Sequence, residues 1–421
     1  MGISISDAAR EMIWTAEREC AGAFSRIDSI EAITQMRVLH AFQSASVAAR
    51  HFAPTTGYGY DDIGRDTLDV VFAEAMQADS ALVRPQFVNG THALFTALAG
   101  LTEPGDVILS ITGKPYDTLE EAIGIRGDAP QSLKRYGVQY REIPLLDNAI
   151  DLEALEAQLT EKIRVVYVQR SRGYAWRASL GQRDLEEVFS LVRHLAPQAW
   201  IVVDNCYCEF CEVNEPTAYG ADIIAGSLIK NPGGGLAPTG GYIAGKSELI
   251  ARIAQRLTVP GMGAEVGSYA GNYRLFYQGL FMAPHVVAQC LKSAVLFSTV
   301  FHRLGYETLP AANDLRSDII QSVRFSSKEE LIRFCQSIQR AAPVDSNVVP
   351  EPWDMPGYAD QVIMAAGAFV QGATTELSAD APIHEPYIAY LQGALTYAHG
   401  RIAAMLACDA LLKHKSSGLP A

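Results

Sequence analysis

Trp200-Ile201-Val202-Val203-Asp204 and Gly226-Ser227-Leu228-Ile229-Lys230-Asn231-Pro232-Gly233-Gly234-Gly235 are the two stretches that decide how this chain is read. Each begins as an apolar run and ends on a polar residue. Runs without alternation are buried on both faces, as the strands of a parallel sheet are. Similar runs cover 106–111, 138–144, 164–169 and 222–228, with helical patterns at 152–159 and 184–195 between them. This alternation predicts a large, doubly wound, mostly parallel α/β domain. Ligands of such sheets bind beyond the carboxyl ends of the strands, so the residues closing each run are the first to consider.

Lys230 stands where an apolar strand gives way to a glycine-rich loop. A lysine in apolar surroundings, close to other positive charge, loses proton affinity, and its free amine can attack an aldehyde. A solvated loop lysine is the plainer alternative. The glycines do not make a P-loop, in which the lysine follows them and precedes a helix; here they allow a tight turn or close approach to a ligand. Asp204 is a carboxylate at the end of a buried strand, a costly position unless a cation meets it. At ~4 Å and an effective dielectric of about 20 such a pair is worth about 4 kcal/mol. A protonated pyridine nitrogen would serve, and so would the simpler role of capping the next element. Asn89-Gly90-Thr91-His92 opens a helical pattern whose first N–H groups suit a phosphate, which makes Gly90 and Thr91 candidates, with an ordinary N-cap at Asn89 as the alternative. Ser227 can add its hydroxyl. Tyr116, shortly after the run 106–111, can stack on a flat ring or simply pack.

The 421 residues carry 49% hydrophobic and 19% charged residues and a net charge of -13, the balance of an acidic globular protein. No basic stripe offers a surface to nucleic acid. The most apolar long stretch, 283–304, contains His285, Gln289, Lys292 and His302, which argue against a membrane span. The first ten residues lack a secretory pattern, and seven scattered cysteines suggest reduced thiols, so a cytoplasmic location is expected. Cys206, Cys208 and Cys211 cluster without a nearby fourth ligand, so no metal is assigned. Beyond residue 290 the pattern predicts a smaller α+β domain: a helix at 286–304, a strand at 318–325, a helix at 328–341, an irregular proline-bearing stretch at 343–358, a strand at 369–377 and a last helix from 386 to about 413. The division expected is an N-terminal helical segment and arm (1–60), a large domain (61–290) and a small domain (291–421).

The order of phosphate loop, aromatic, aspartate and lysine resembles that of pyridoxal 5'-phosphate (PLP) enzymes of the aspartate-aminotransferase fold, fold type I. More closely, the chain resembles the methionine γ-lyase-like, aluminium-resistance family, near the Cys/Met-metabolism enzymes. The residues that carry this are His51-Phe-Ala-Pro-Thr-Thr-Gly-Tyr-Gly-Tyr-Asp-Asp-Ile-Gly-Arg-Asp, Thr112-Gly-Lys-Pro-Tyr-Asp-Thr-Leu-Glu-Glu, Gln169-Arg-Ser-Arg-Gly-Tyr and the Gly226–Gly235 stretch, with further matches at 346–358 and 371–387. The resemblance implies that Lys230 holds PLP as a Schiff base, Asp204 pairs with its ring nitrogen, Tyr116 stacks on the ring, and Gly90, Thr91 and Ser227 hold its phosphate. It further implies a homodimer or tetramer in which Tyr58 or Tyr60, with Arg65, reaches a neighbouring subunit's cofactor. The expected activity is β- or γ-elimination of a side-chain group from an amino acid, as in carbon–sulfur lyases, with Tyr116 or Tyr60 assisting the departing group.

Three residues depart from the family pattern: Asn89 stands where serine is expected, Cys208 where glycine is, and His384 where arginine is. Histidine cannot copy the bidentate fork with which arginine holds a substrate carboxylate. Arg172 and Arg177 become candidates for that task beside His384. The departures also motivate alternatives: γ-elimination or γ-replacement on a halogenated or oxygen-activated amino acid, or a non-catalytic regulator that kept the fold.

Overall fold

A computed structural model describes residues 4–160, 162–354 and 360–416. Residues 355–359 lie outside the described residues, and with them the end of the proline-bearing stretch 343–358 and of the matching segment 346–358. The apolar runs become strands: β1 (Ser80–Arg84), β2 (Val107–Ser110), β3 (Gln139–Glu142), β4 (Ile163–Gln169), β5 (Trp200–Asp204), β6 (Ile223–Ser227) and β7 (Gly241–Gly245). They form one sheet in the order β1-β7-β6-β5-β4-β2-β3. Only β7 runs against the others. Every residue of β2, β6 and β7 is buried, as runs without alternation require. The expected α/β class with a mostly parallel sheet is what the chain adopts. The two strands not anticipated, β1 and β7, lie at one edge and are short, and β7 carries glycine at both ends.

A second sheet, wholly antiparallel, has the order β10-β11-β12-β9-β8, built from β8 (Glu307–Leu309), β9 (Gln321–Arg324), β10 (Val362–Ala365), β11 (Ser378–Pro382) and β12 (Ile388–Gln392). Two sequence expectations fail here. Residues 369–377 are loop, because the hydrogen-bonded pairing falls on β11 immediately after them. The last helix is Tyr397–Ser416 and does not start at 386, since Ile388–Gln392 is taken by pairing with β9 and β11.

The helix expected at 286–304 begins much earlier and spans Arg274–Arg303. By length and composition it could cross a membrane, but 78% of its most apolar window is buried inside the protein. It packs against the N-terminal helix Ala21–Ser44, the last helix, the small sheet and the glycine turn after Lys230. Helix starts are set by side chains that accept otherwise unpaired N–H groups: Asn89 from His92, Asp151 from Ala154 and Ser327 from Glu330.

Candidate active site

The carboxyl ends of the parallel strands meet at a cavity of about 260 Å³. Its wall includes Asn89, Gly90 and Thr91 after β1, Tyr116 and Thr118 after β2, Ser171 after β4, Asp204, Cys206 and Tyr207 at the end of β5, and Ser227, Ile229 and Lys230 at the end of β6. One residue, Gly372, comes from the loop before β11. Sheet topology thus gathers residues far apart in sequence, as expected at the strand ends of an α/β sheet. Lys230, Asp204, Tyr116, Gly90, Thr91 and Ser227 all line the same space.

Asp204 is buried, and its Oδ1 accepts the Cys206 N–H at 3.0 Å while the Tyr167 hydroxyl lies 3.4 Å from Oδ2. Burial pushes its carboxyl up, and the charge of Lys230 acts in the other direction. The Lys230 ammonium lies 3.9 Å from the centre of the Tyr207 ring. Burial by itself lowers the proton affinity of Lys230, but the acidic groups around it, Cys206, Tyr207, Asp204 and Tyr116, outweigh that and hold it above its ordinary range. This reverses the lowered proton affinity expected for Lys230, because the groups that fold around it are acidic.

Gly90 starts the helix Gly90–Leu101, whose first intrahelical bond is the Ala93 N–H to the Asn89 carbonyl at 3.2 Å. The N–H groups of Gly90 and Thr91 precede that bond, and both residues line the cavity. A Cβ at position 90 would stand 3.2 Å from Cβ of Ser227 and 3.4 Å from Sγ of Cys206, so glycine keeps this corner open. Asn89 retains the capping role that serine would also fill. Cys206, Cys208 and Cys211 are buried free thiols, each raised by burial.

The remaining candidates are not brought to this cavity. Arg172 is buried, with Nη2 and Nε on the two carboxylate oxygens of Asp318 at 3.2 and 3.3 Å and Nη1 donating to the Leu309 carbonyl at 2.8 Å. Arg177 donates to the backbone carbonyls of Ser171 at 2.5 Å and Ala178 at 2.9 Å. Both guanidinium groups are taken up by the protein itself. His384 is exposed on the turn between β11 and β12, its Nε2 4.0 Å from Asp360. Arg65 is buried and holds the preceding arm, donating to the Gly59 carbonyl and to Asp66, each at 2.8 Å. Tyr58 and Tyr60 are 73% and 59% exposed, their ring centres 5.8 Å apart, so within one chain neither is a wall of the cavity.

The sequence reading missed Tyr207 and Asp380. Tyr207 is reached from Asp204 through a left-handed turn, with φ of 72° at Tyr207 itself, and its place three residues beyond a strand-end aspartate was the available signal. Asp380 lines a neighbouring cavity, and nothing in its local sequence marks it.

The sequence profile for methionine gamma-lyase matches residues 9–412. This chain belongs to the methionine gamma-lyase family. It is similar to the Bacillus subtilis protein YnbB, 48% identical over 399 residues that cover 94% of this chain and 95% of that one. It is also similar to a carbon-sulfur lyase involved in aluminum resistance from Clostridium novyi NT, whose crystal structure superposes with a TM-score of 0.93 at 48% identity, over 97% of this chain and 96% of that one. A Clostridium acetobutylicum structure, proposed to be a cystathionine beta-lyase involved in aluminum resistance, gives a TM-score of 0.93 at 47% identity over 96% of both chains. The methionine gamma-lyase family uses PLP, and this member is a PLP-dependent carbon–sulfur lyase of fold type I. The cavity fits that cofactor: a lysine amine, a buried carboxylate with a cation for partner, and a helix start whose first two residues line it at a corner that a Cβ at position 90 would narrow.

Proposed function

We propose that this lyase cleaves the carbon–sulfur bond of a thioether amino acid by β- or γ-elimination, with cystathionine the first substrate to test. The observation that carries this reading is the convergence of Lys230, Asp204 and Tyr116 on one cavity at the strand ends. Lys230 would hold the cofactor through its amine, Asp204 would meet the ring nitrogen, Tyr116 would lie against the ring, and Gly90, Thr91 and Ser227 would take the phosphate. When bound, PLP supplies an electron sink for charge developing on the substrate's α-carbon.

The chain's own groups account for the proton movements. Asp204 helps to hold Lys230 charged; once that carboxylate is engaged by another cation, the support weakens, and burial favours the neutral amine. Neutral Lys230 is then a base placed to move the α-proton. Tyr116 lines the same cavity, and its hydroxyl is the candidate acid for the departing sulfur. We also propose that the exposed pair Tyr58 and Tyr60 serves a second copy of the chain, so that the enzyme works as a homo-oligomer.

The test is the absorbance of the purified protein with and without PLP, for the natural chain and Lys230→Ala, with assays for thiol, ammonia and keto acid from cystathionine and methionine. The expected result is visible absorbance in the natural chain that Lys230→Ala lacks, and release of all three products in equal amounts. A protein that stays colourless after PLP is added overturns the reading.

A further inference from the structure

A second cavity of about 30 Å³ adjoins the first and shares Tyr116, Ser171 and Tyr207 with it. That is room for one group the size of water or ammonium. Tyr174, Tyr390 and Asp380 complete the part of its wall that matters here. The Tyr174 and Tyr390 rings stand 5.2 Å apart, and the Tyr390 hydroxyl donates to the Tyr174 carbonyl at 2.5 Å. Asp380 on β11 pairs directly with Tyr390 on β12. No lysine, arginine or histidine among the described residues lines this space. The Tyr207 ring already receives one cation, the Lys230 ammonium.

Asp380 is half-buried on its strand; its partial removal from water pushes the carboxyl up to about 7, and its hydrogen bond with Tyr174 acts the other way. Even a half-buried carboxylate gains from a counter-charge, and the faces of aromatic rings also attract positive charge. A neutral alkyl group placed here would leave Asp380 uncompensated, and an anion would be repelled. We propose that this cavity is the subsite for a compact cation on the departing half of the substrate, a primary ammonium carried a few bonds beyond the scissile sulfur. The proposal rests on the carbon–sulfur lyase reading above and narrows its substrate class.

The groups facing Asp380 are Tyr174, Tyr207, Tyr390 and, from the helix Lys328–Ala341, Cys335; behind them the charge of Lys230 acts on Tyr207, and those of Arg172 and Arg324 act on Tyr390. Burial raises Tyr207, Tyr390 and Cys335, which leaves Asp380 to change charge near neutrality. Recognition of an ammonium should therefore weaken as pH falls below about 7.

The experiment compares S-(2-aminoethyl)-L-cysteine with S-propyl-L-cysteine, its neutral isostere, on the PLP-loaded enzyme, together with their homocysteine homologues. Equilibrium affinity is read from the change in cofactor absorbance and turnover from thiol release. At pH 8 the amine should be favoured about tenfold in both measures. The ratio should fall towards one below pH 7 and in Asp380→Asn. Equal use of the two compounds, or a preference that survives in Asp380→Asn, overturns the proposal. If Asp380→Asn does not fold, the pH profile of the natural enzyme decides, and a ratio independent of pH overturns it. Failure of every compound to alter the spectrum or release thiol counts against the lyase reading, and the subsite falls with it; turnover without discrimination removes the subsite alone.

Discussion

Arg172 and Asp318 are both buried, and their paired contacts join the segment after β4 to the segment before β9. Removing one partner leaves the other charge buried and unpaired, which costs about 3–5 kcal/mol. Arg172→Ala should therefore lower stability by about that amount in denaturant unfolding, with little change in KM for the enzyme that remains folded. A large rise in KM at unchanged stability would instead return Arg172 to the substrate carboxylate. Lys230, Asp204 and Ser227 were legible in the sequence because each closes an apolar run, and the end of a buried strand is a place a sequence can name. Arg172 was not separable from a binding arginine, because its partner is far away along the chain. Asp380 was illegible for a related reason: its surroundings come from Tyr174, Tyr207 and Tyr390, brought together only by the folded chain.

At the scale of elements, the turn after Lys230 is pressed against the helix Arg274–Arg303. Gly234 has φ of 52°, and a Cβ there would stand 2.3 Å from the Gly279 carbonyl oxygen. A Cβ at Gly279 would stand 2.3 Å from the Gly233 carbonyl oxygen in return. Backbone meets backbone, and one methyl group must move either the helix or the turn. Gly279→Ala is expected to cost about 1–3 kcal/mol through overpacking and to loosen the turn that follows Lys230. Thermal unfolding checks the first effect, and the amount of PLP retained on dialysis checks the second. The sequence announced the glycine run but not its partner, since Gly279 sits in a helix where nothing local demands glycine. The same contrast holds for strands. Runs buried on both faces, such as β4 and β5, were read directly, whereas β11, with the sequence Ser-Ala-Asp-Ala-Pro, becomes a strand through pairing on both sides.

For the whole molecule, the exposed Tyr58 and Tyr60 lie on the arm before the helix Ile63–Ala75, where Ile63 is also 48% exposed. Arg65 anchors this arm by donating to the Gly59 carbonyl, while Asp66 and the Glu265 carbonyl hold the guanidinium itself, so the tyrosines are presented on a fixed support. If a second copy uses them, light scattering will give a mass of at least a dimer. Mixing inactive Lys230→Ala with inactive Tyr60→Phe or Tyr58→Phe should then restore part of the activity, because mixed assemblies contain intact shared sites. A monomeric mass, or mixtures as inactive as their parts, would mean that one chain is sufficient.

The wall of the main cavity draws on residues from Asn89 to Gly372, and the smaller cavity also needs Asp380, Tyr390 and Gln392. A chain still emerging from the ribosome has the lysine and the aspartate long before it has the far wall. The two cavities cannot take their full shape until the chain has been made as far as Gln392, so the pocket closes well after its lysine and aspartate exist.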